Sequence, residues 1–133
     1  MRDVLVVTSD TSISEETHGY SDATCSTLSY YAKDGNTSFT VGDASGDYYK
    51  VTYTETTFKV KADTAVAVTH LEDALRPNIS DIDLTLGTEY SASGGSSSYK
   101  NLWYVTSTTF QKGEELDNGT QPTAMDSPTY TKE

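Results

Sequence analysis

Two short acidic groups are the first places in this chain where chemistry could sit. In Asp81-Ile82-Asp83 a strand conformation would put both carboxylates on one face, and Asp43 and Asp47 bracket the turn-forming run Gly42-Asp43-Ala44-Ser45-Gly46-Asp47. Carboxylate oxygens so placed are ligands for Ca²⁺ or Mg²⁺. A Ca²⁺ site, however, takes about six to eight oxygens, and the second run lacks the Asp-x-Asp-x-Asp-Gly order of an EF-hand loop. A solvated strand face accounts for Asp81 and Asp83, and turn propensity accounts for Asp43 and Asp47. The expectation is no cofactor and no metal, with these four aspartates as the candidates should Ca²⁺ or Mg²⁺ bind.

Other catalytic materials are sparse. His18 and His70 stand far apart in sequence and make no zinc spacing. Cys25 is alone, so no intrachain disulfide can form, and it is expected as a small buried thiol. There is no Gly-x-Ser-x-Gly elbow, no phosphate-binding Gly-Lys-Ser/Thr loop and no His-Glu-x-x-His. Twenty acidic residues permit a two-carboxylate glycosidase without pointing to one. No catalytic residue is assigned. Asn36, Asn78 and Asn118 each begin an Asn-x-Ser/Thr triplet, which abundant Ser and Thr produce by chance.

What the chain has in abundance is contact surface: 16 Ser, 22 Thr and ten Tyr among 133 residues. Thr and Tyr suit pleated, half-buried strands, and Tyr supplies broad amphipathic area with little entropy to lose. Tyr30-Tyr31 and Tyr48-Tyr49 should each send one ring to either sheet face. Tyr31, Tyr48, Tyr99, Trp103 and Tyr130 are the residues expected at a protein interface.

The elements that must carry these residues read as follows. Val4 to Thr8 is a short apolar strand, and residues 9–23 form a polar loop or arm. Asp34-Gly35 between two alternating runs signals a hairpin turn, and Gly42 to Asp47 a second turn. Tyr49, Val51 and Tyr53 share one face, as do Phe58, Val60 and Ala62, which predicts a hairpin of two strands. Thr69-His70-Leu71-Glu72 has capping-box spacing and Pro77 is a stop, so one short helix is predicted at about 70–76, within the run from Asp63 to Arg76. Ile82, Leu84 and Leu86 alternate like a strand, Gly94-Gly95 marks a loop, and Leu102 to Phe110 is the last long strand. Residues 113–133 hold two of the three prolines and almost no large aliphatic side chain, which predicts an extended arm. The fold class is mainly β: residues 1–112 as one antiparallel sandwich or barrel with the arm 9–23, then the C-terminal arm 113–133.

Totals narrow the function. A net charge of −11 provides no basic footprint for nucleic acid or for an anionic membrane surface, so neither is an expected partner. No apolar run approaches the roughly 20 residues of a membrane span, and the four apolar residues Val4 to Val7 fall short of the about seven a signal peptide needs. With Met1 in place, the chain is expected to fold where it is made, in a host cytoplasm. Only 35% of the residues are hydrophobic, so neighbours should supply part of the stability. The leading expectation is a non-enzymatic structural subunit of a large assembly. A virion protein fits best, decorating or cementing a capsid or forming part of a tail or neck, with copies of itself and other structural proteins as partners. The alternative is a carbohydrate-binding module using exposed aromatics such as Trp103, Tyr104 or Tyr99.

Overall fold

A computed structural model describes residues 1–93, 98–116 and 119–132, with backbone alone at 36, 37, 127 and 128. Nine strands and one helix follow in order: β1 (Arg2–Ser9), β2 (Ser12–Tyr20), β3 (Leu28–Ser45), β4 (Tyr48–Thr54), β5 (Thr57–Ala62), α1 (Ala65–Leu75), β6 (Tyr90–Ser93), β7 (Ser98–Val105), β8 (Thr109–Gly113) and β9 (Met125–Thr131). Among the described residues these strands form one antiparallel sheet, which does not close into a barrel.

The sheet grows from one long ribbon. β3 runs 18 residues, turns at Gly46 and Asp47, and is answered by β4 and β5 in succession. Gly46 takes φ of 65°, as a tight two-residue turn demands. Ser38 faces Thr54, and three residues earlier Gly35 faces Thr57, so β4 and β5 are one returning strand broken at Glu55 and Thr56. The break falls beside Gly35, where a Cβ would lie 2.6 Å from Thr57 Oγ1. Thr56 and Thr57 both donate their hydroxyls to the Gly35 carbonyl, at 3.1 and 2.9 Å.

Each half of the ribbon builds its own core. Beyond the break, β5 recruits β6, and Val60 and Ala62 pack under α1 against Ala67, Leu71, Ile82 and Leu84. Thr64 caps α1, its Oγ1 accepting from Ala67 N at 3.2 Å. Before the break, β4 recruits β7, then β8 and β9, while β2 and β1 extend the opposite edge. This half curls. Leu5 of β1 and Phe110 of β8 reach the same cluster as Ile13, Val51 and Trp103, although four strands separate β1 from β8. Lys112 on β8 and Glu15 on β2 meet across the curl at 2.7 Å.

Several expectations are corrected. Residues 12–20 are a strand rather than an arm, because Ile13, Glu15 and Thr17 face the interior of the curl. Asp34-Gly35 is no turn: β3 passes straight through, and glycine is needed there for the approach of Thr57. β4 and β5 do not pair with each other, since both lie along β3. The helix begins earlier than 70, capped by Thr64 rather than Thr69. Ile82 and Leu84 are buried alternately as expected but not in a strand, and Leu84 N donates to Glu72 Oε1 rather than to a ladder. The 113–133 segment folds back, and its β9 pairs with β8. Gly94-Gly95 and Asn118 lie outside the described residues.

One buried side chain stands in for backbone. Beyond Trp103 and Lys112 the β7–β8 ladder ends, and the fully buried Asn101 bridges the gap. Its Oδ1 accepts from Gly113 N at 2.9 Å and its Nδ2 donates to Gly113 O at 3.1 Å. Replacing Asn101 by Leu keeps the volume and orphans both Gly113 groups, which should cost about 3 kcal/mol in urea unfolding. A loss below about 0.5 kcal/mol would show that Gly113 finds other partners.

Candidate functional site

β1 and β9 stand at the two ends of the seven-strand order β1-β2-β3-β4-β7-β8-β9, yet the curl brings them to face each other. Between them lies a cleft of about 990 Å³, lined by Arg2 to Leu5 and Val7, by Val105 to Phe110, and by Thr129 to Lys132. Among the described residues β1 pairs only with β2, and β9 only with β8. Side-chain alternation explains the character of the lining. Val7 lies opposite Ile13, and Val105 is two residues on from Trp103, so both sit on the core-facing side. Both are nonetheless exposed, Val7 at 68% and Val105 at 50%. Tyr130 lies opposite Phe110 with ring centroids 6.0 Å apart.

The interior of the curl is charged where the ribbon breaks. Glu15, Asp34, Glu55, Glu115 and Lys112 gather with Tyr53 and Trp103. Lys112 Nζ meets Glu15 Oε2 at 2.7 Å and Glu115 Oε1 at 3.2 Å. Burial works against the ammonium charge, but the two glutamates outweigh it and raise the pKa of Lys112. Burial raises Asp34, helped by Glu15 and Glu115, and burial raises Glu55, helped by Asp34. Tyr53 is raised by burial and by the charge of Glu115. Glu15 Oε1 and Trp103 Nε1 are buried without a hydrogen-bond partner. The enclosed space is about 10 Å³, the size of one water molecule. Two acids with raised pKa values thus stand together where no sugar ring can enter.

The residues singled out from the sequence scatter. Asp43 lies in a bulge of β3 and Asp47 in the turn after it. Asp81 and Asp83 are exposed on an irregular segment rather than on a strand face. Among the described residues no three His, Cys, Asp or Glu side chains gather as metal ligands. Cys25 is exposed, at φ of 53°, in a turn that Asp22 organises by accepting from the backbone of Thr24, Ser26 and Thr27. Trp103, expected at an interface, is 6% exposed and sits against Phe39 and Phe110, with centroids 4.8 and 5.2 Å away. Tyr48 and Tyr49 are both exposed, at 37% and 44%, although Tyr49 lies opposite the buried Trp103. Tyr48 touches Tyr104, Tyr99 stacks on Tyr53, and Tyr31 donates to Glu89, which pushes its hydroxyl pKa up to about 12. Of the expected interface residues only Tyr130 lines the seam. The seam escaped the sequence because residues 9–23 and 113–133 read as arms, whereas β2 holds the edge strand β1 and β9 is itself the other edge.

The charged interior makes stability depend on pH. Asp34 and Glu55 hold protons more tightly folded than unfolded, so their contribution is fullest below their ordinary values of 3.8 and 4.5 and is lost as pH rises through the folded values. Glu16 acts in the opposite sense: burial pushes it up, but hydrogen bonds from Lys33 and His18 win and lower it, so its contribution fades as pH falls through its folded value, below 4.5. The urea midpoint should therefore rise as pH falls from neutral through the folded values of Asp34 and Glu55, and Asp34→Asn should be more stable than the parent at pH 7 with a smaller rise. A parent midpoint that falls steadily over that range would contradict the assignment. No protein-family model matches this chain and a search of curated proteins finds no match, so its functional reading rests on the seam and the charged interior.

Proposed function

We propose that this chain is a non-enzymatic structural subunit of a large assembly, joined to its neighbours at the open seam. The observation that carries the reading is the exposure of Val7 and Val105, two core-facing side chains, between two strand edges that face one cleft. A lone domain gains by covering such groups, and an unpaired edge is a template for a neighbouring chain. The assembly that fits best is a virus particle, with the chain as a capsid-decorating or cementing protein or a tail or neck component. Copies of itself and other structural proteins are the partners. The charge of −11 keeps nucleic acid and anionic membranes off the list and suits a basic or neutral neighbour.

Carbohydrate binding is the second reading. It loses Trp103 to the core and keeps the exposed face where Tyr48 meets Tyr104 at 5.6 Å, beside Tyr49. Sugars stack on such rings.

Val7→Lys separates the two. Val7 is exposed, so the substitution should leave monomer stability within about 0.5 kcal/mol. Incorporation into the native particle, followed by light scattering and electron microscopy, should fall at least about tenfold, because an edge lysine opposes strand addition. Unchanged incorporation would remove the seam from the contact. A parent chain that is a discrete monomer in its native source would sink the structural reading and bring sugar-binding screens forward.

A further inference from the structure

We infer that the seam accepts an eighth strand, donated in extended form by a neighbouring subunit and running antiparallel to both β1 and β9. The inference rests on the structural-subunit reading and deepens it. Its ground is strand parity. Every neighbour along β1-β2-β3-β4-β7-β8-β9 is antiparallel. Six reversals leave β1 and β9 pointing the same way. Closing the curl on itself would need a parallel pair, the less stable kind, between its two edges. One strand running the other way turns seven antiparallel strands into eight. Eight is also the number whose barrel interior side chains can fill.

The two edges suit such an occupant. β1 carries the apolar run Val4 to Val7 without proline or lysine; its charged residues Arg2 and Asp3 stand at its start, and its register slips between Val7 and Ser9 at its end. β9 includes Pro128, a residue found on edge strands. The ladder available is about that of β1 and β9, eight and seven residues long. The charged groups of the cleft are confined to strand ends, Arg2 and Asp3 at the start of β1 and Lys132 just after β9. Between them the lining is uncharged. The donated strand is therefore expected to be uncharged in its middle, with every second side chain apolar so as to cover Val7 and Val105 beside Leu5, Phe110 and Tyr130.

The test supplies the strand in cis. Asn-Gly and the strand Thr-Val-Thr-Val-Thr-Val-Thr are appended after Glu133, so that a four-residue connection, from Lys132 to the appended Gly, joins the new strand to β9. A control replaces each appended Val by Pro, which cannot complete a ladder. Amide exchange in β1 should slow at least about tenfold in the Val version and not in the Pro version, with α1 unchanged. The self-completed chain should also lose incorporation into the native particle at least about tenfold, since its seam is filled. Equal β1 exchange in both versions would overturn the inference. So would particles in which the Val version incorporates as well as the parent, and that result would leave the structural reading standing. Slowed β1 exchange in a chain whose parent is monomeric in its native source would do the reverse: the seam takes a strand, and the structural-subunit reading falls.

Discussion

The backbone at Gly35 meets two demands at once: β3 must continue, and Thr57 must press against it. A Cβ there would lie 2.6 Å from the Thr57 hydroxyl oxygen, and that same hydroxyl is bonded to the Gly35 carbonyl. Glycine satisfies both demands, and the returning strand breaks into β4 and β5 at this point. Everything larger follows from the break. An unbroken ribbon would carry one continuous partner along its second edge. The broken one turns part of that edge toward α1 and part toward β7, and so creates two cores instead of one.

The curled half is held more by charge placement than by apolar mass. Its buried cluster is Ile13, Val51 and Trp103, with Leu102 buried as well, a small set for seven strands. The tie between Lys112 and Glu15 spans strands that are not neighbours in the sheet, and so fixes how tightly the curl winds. Ion pairs of this kind add little net stability after desolvation, but breaking one leaves a charge uncompensated. Here the imbalance is built in: Lys112 faces Glu15 and Glu115, with Asp34 and Glu55 close by. Burial, and after it the neighbouring carboxylates, raise the pKa values of Asp34 and Glu55.

How much of this the sequence revealed depends on the range of the interaction. Period-two alternation in Tyr49 to Tyr53 and Phe58 to Ala62 marked strands correctly, because each faces one core on one side. Ser12 to Tyr20 escaped the same test. Its core-facing positions hold Glu15 and Thr17, and a charged residue pointing inward is legible only once Lys112 is brought opposite it. Asp34-Gly35 misled for a related reason: a glycine needed for close approach and a glycine needed for a turn look alike in a single chain. Trp103 read as contact surface because a single chain does not show which side of the sheet its ring takes, while its neighbours in space are Phe39 and Phe110. The candidate aspartates were the least informative of all, since turn chemistry and solvation place Asp43, Asp47, Asp81 and Asp83 without any ligand.

The seam is a consequence of counting as much as of contact. A sheet that curls because of a break in one ribbon brings its edges together whatever their direction. Direction is fixed separately, by how many antiparallel strands lie between them. Every neighbouring pair along the order is antiparallel, β4 and β7 included although β5, α1 and β6 lie between them in the chain, so an odd total forces like-directed edges to face each other. Val7 and Val105 therefore stay exposed beside two edges that run the same way.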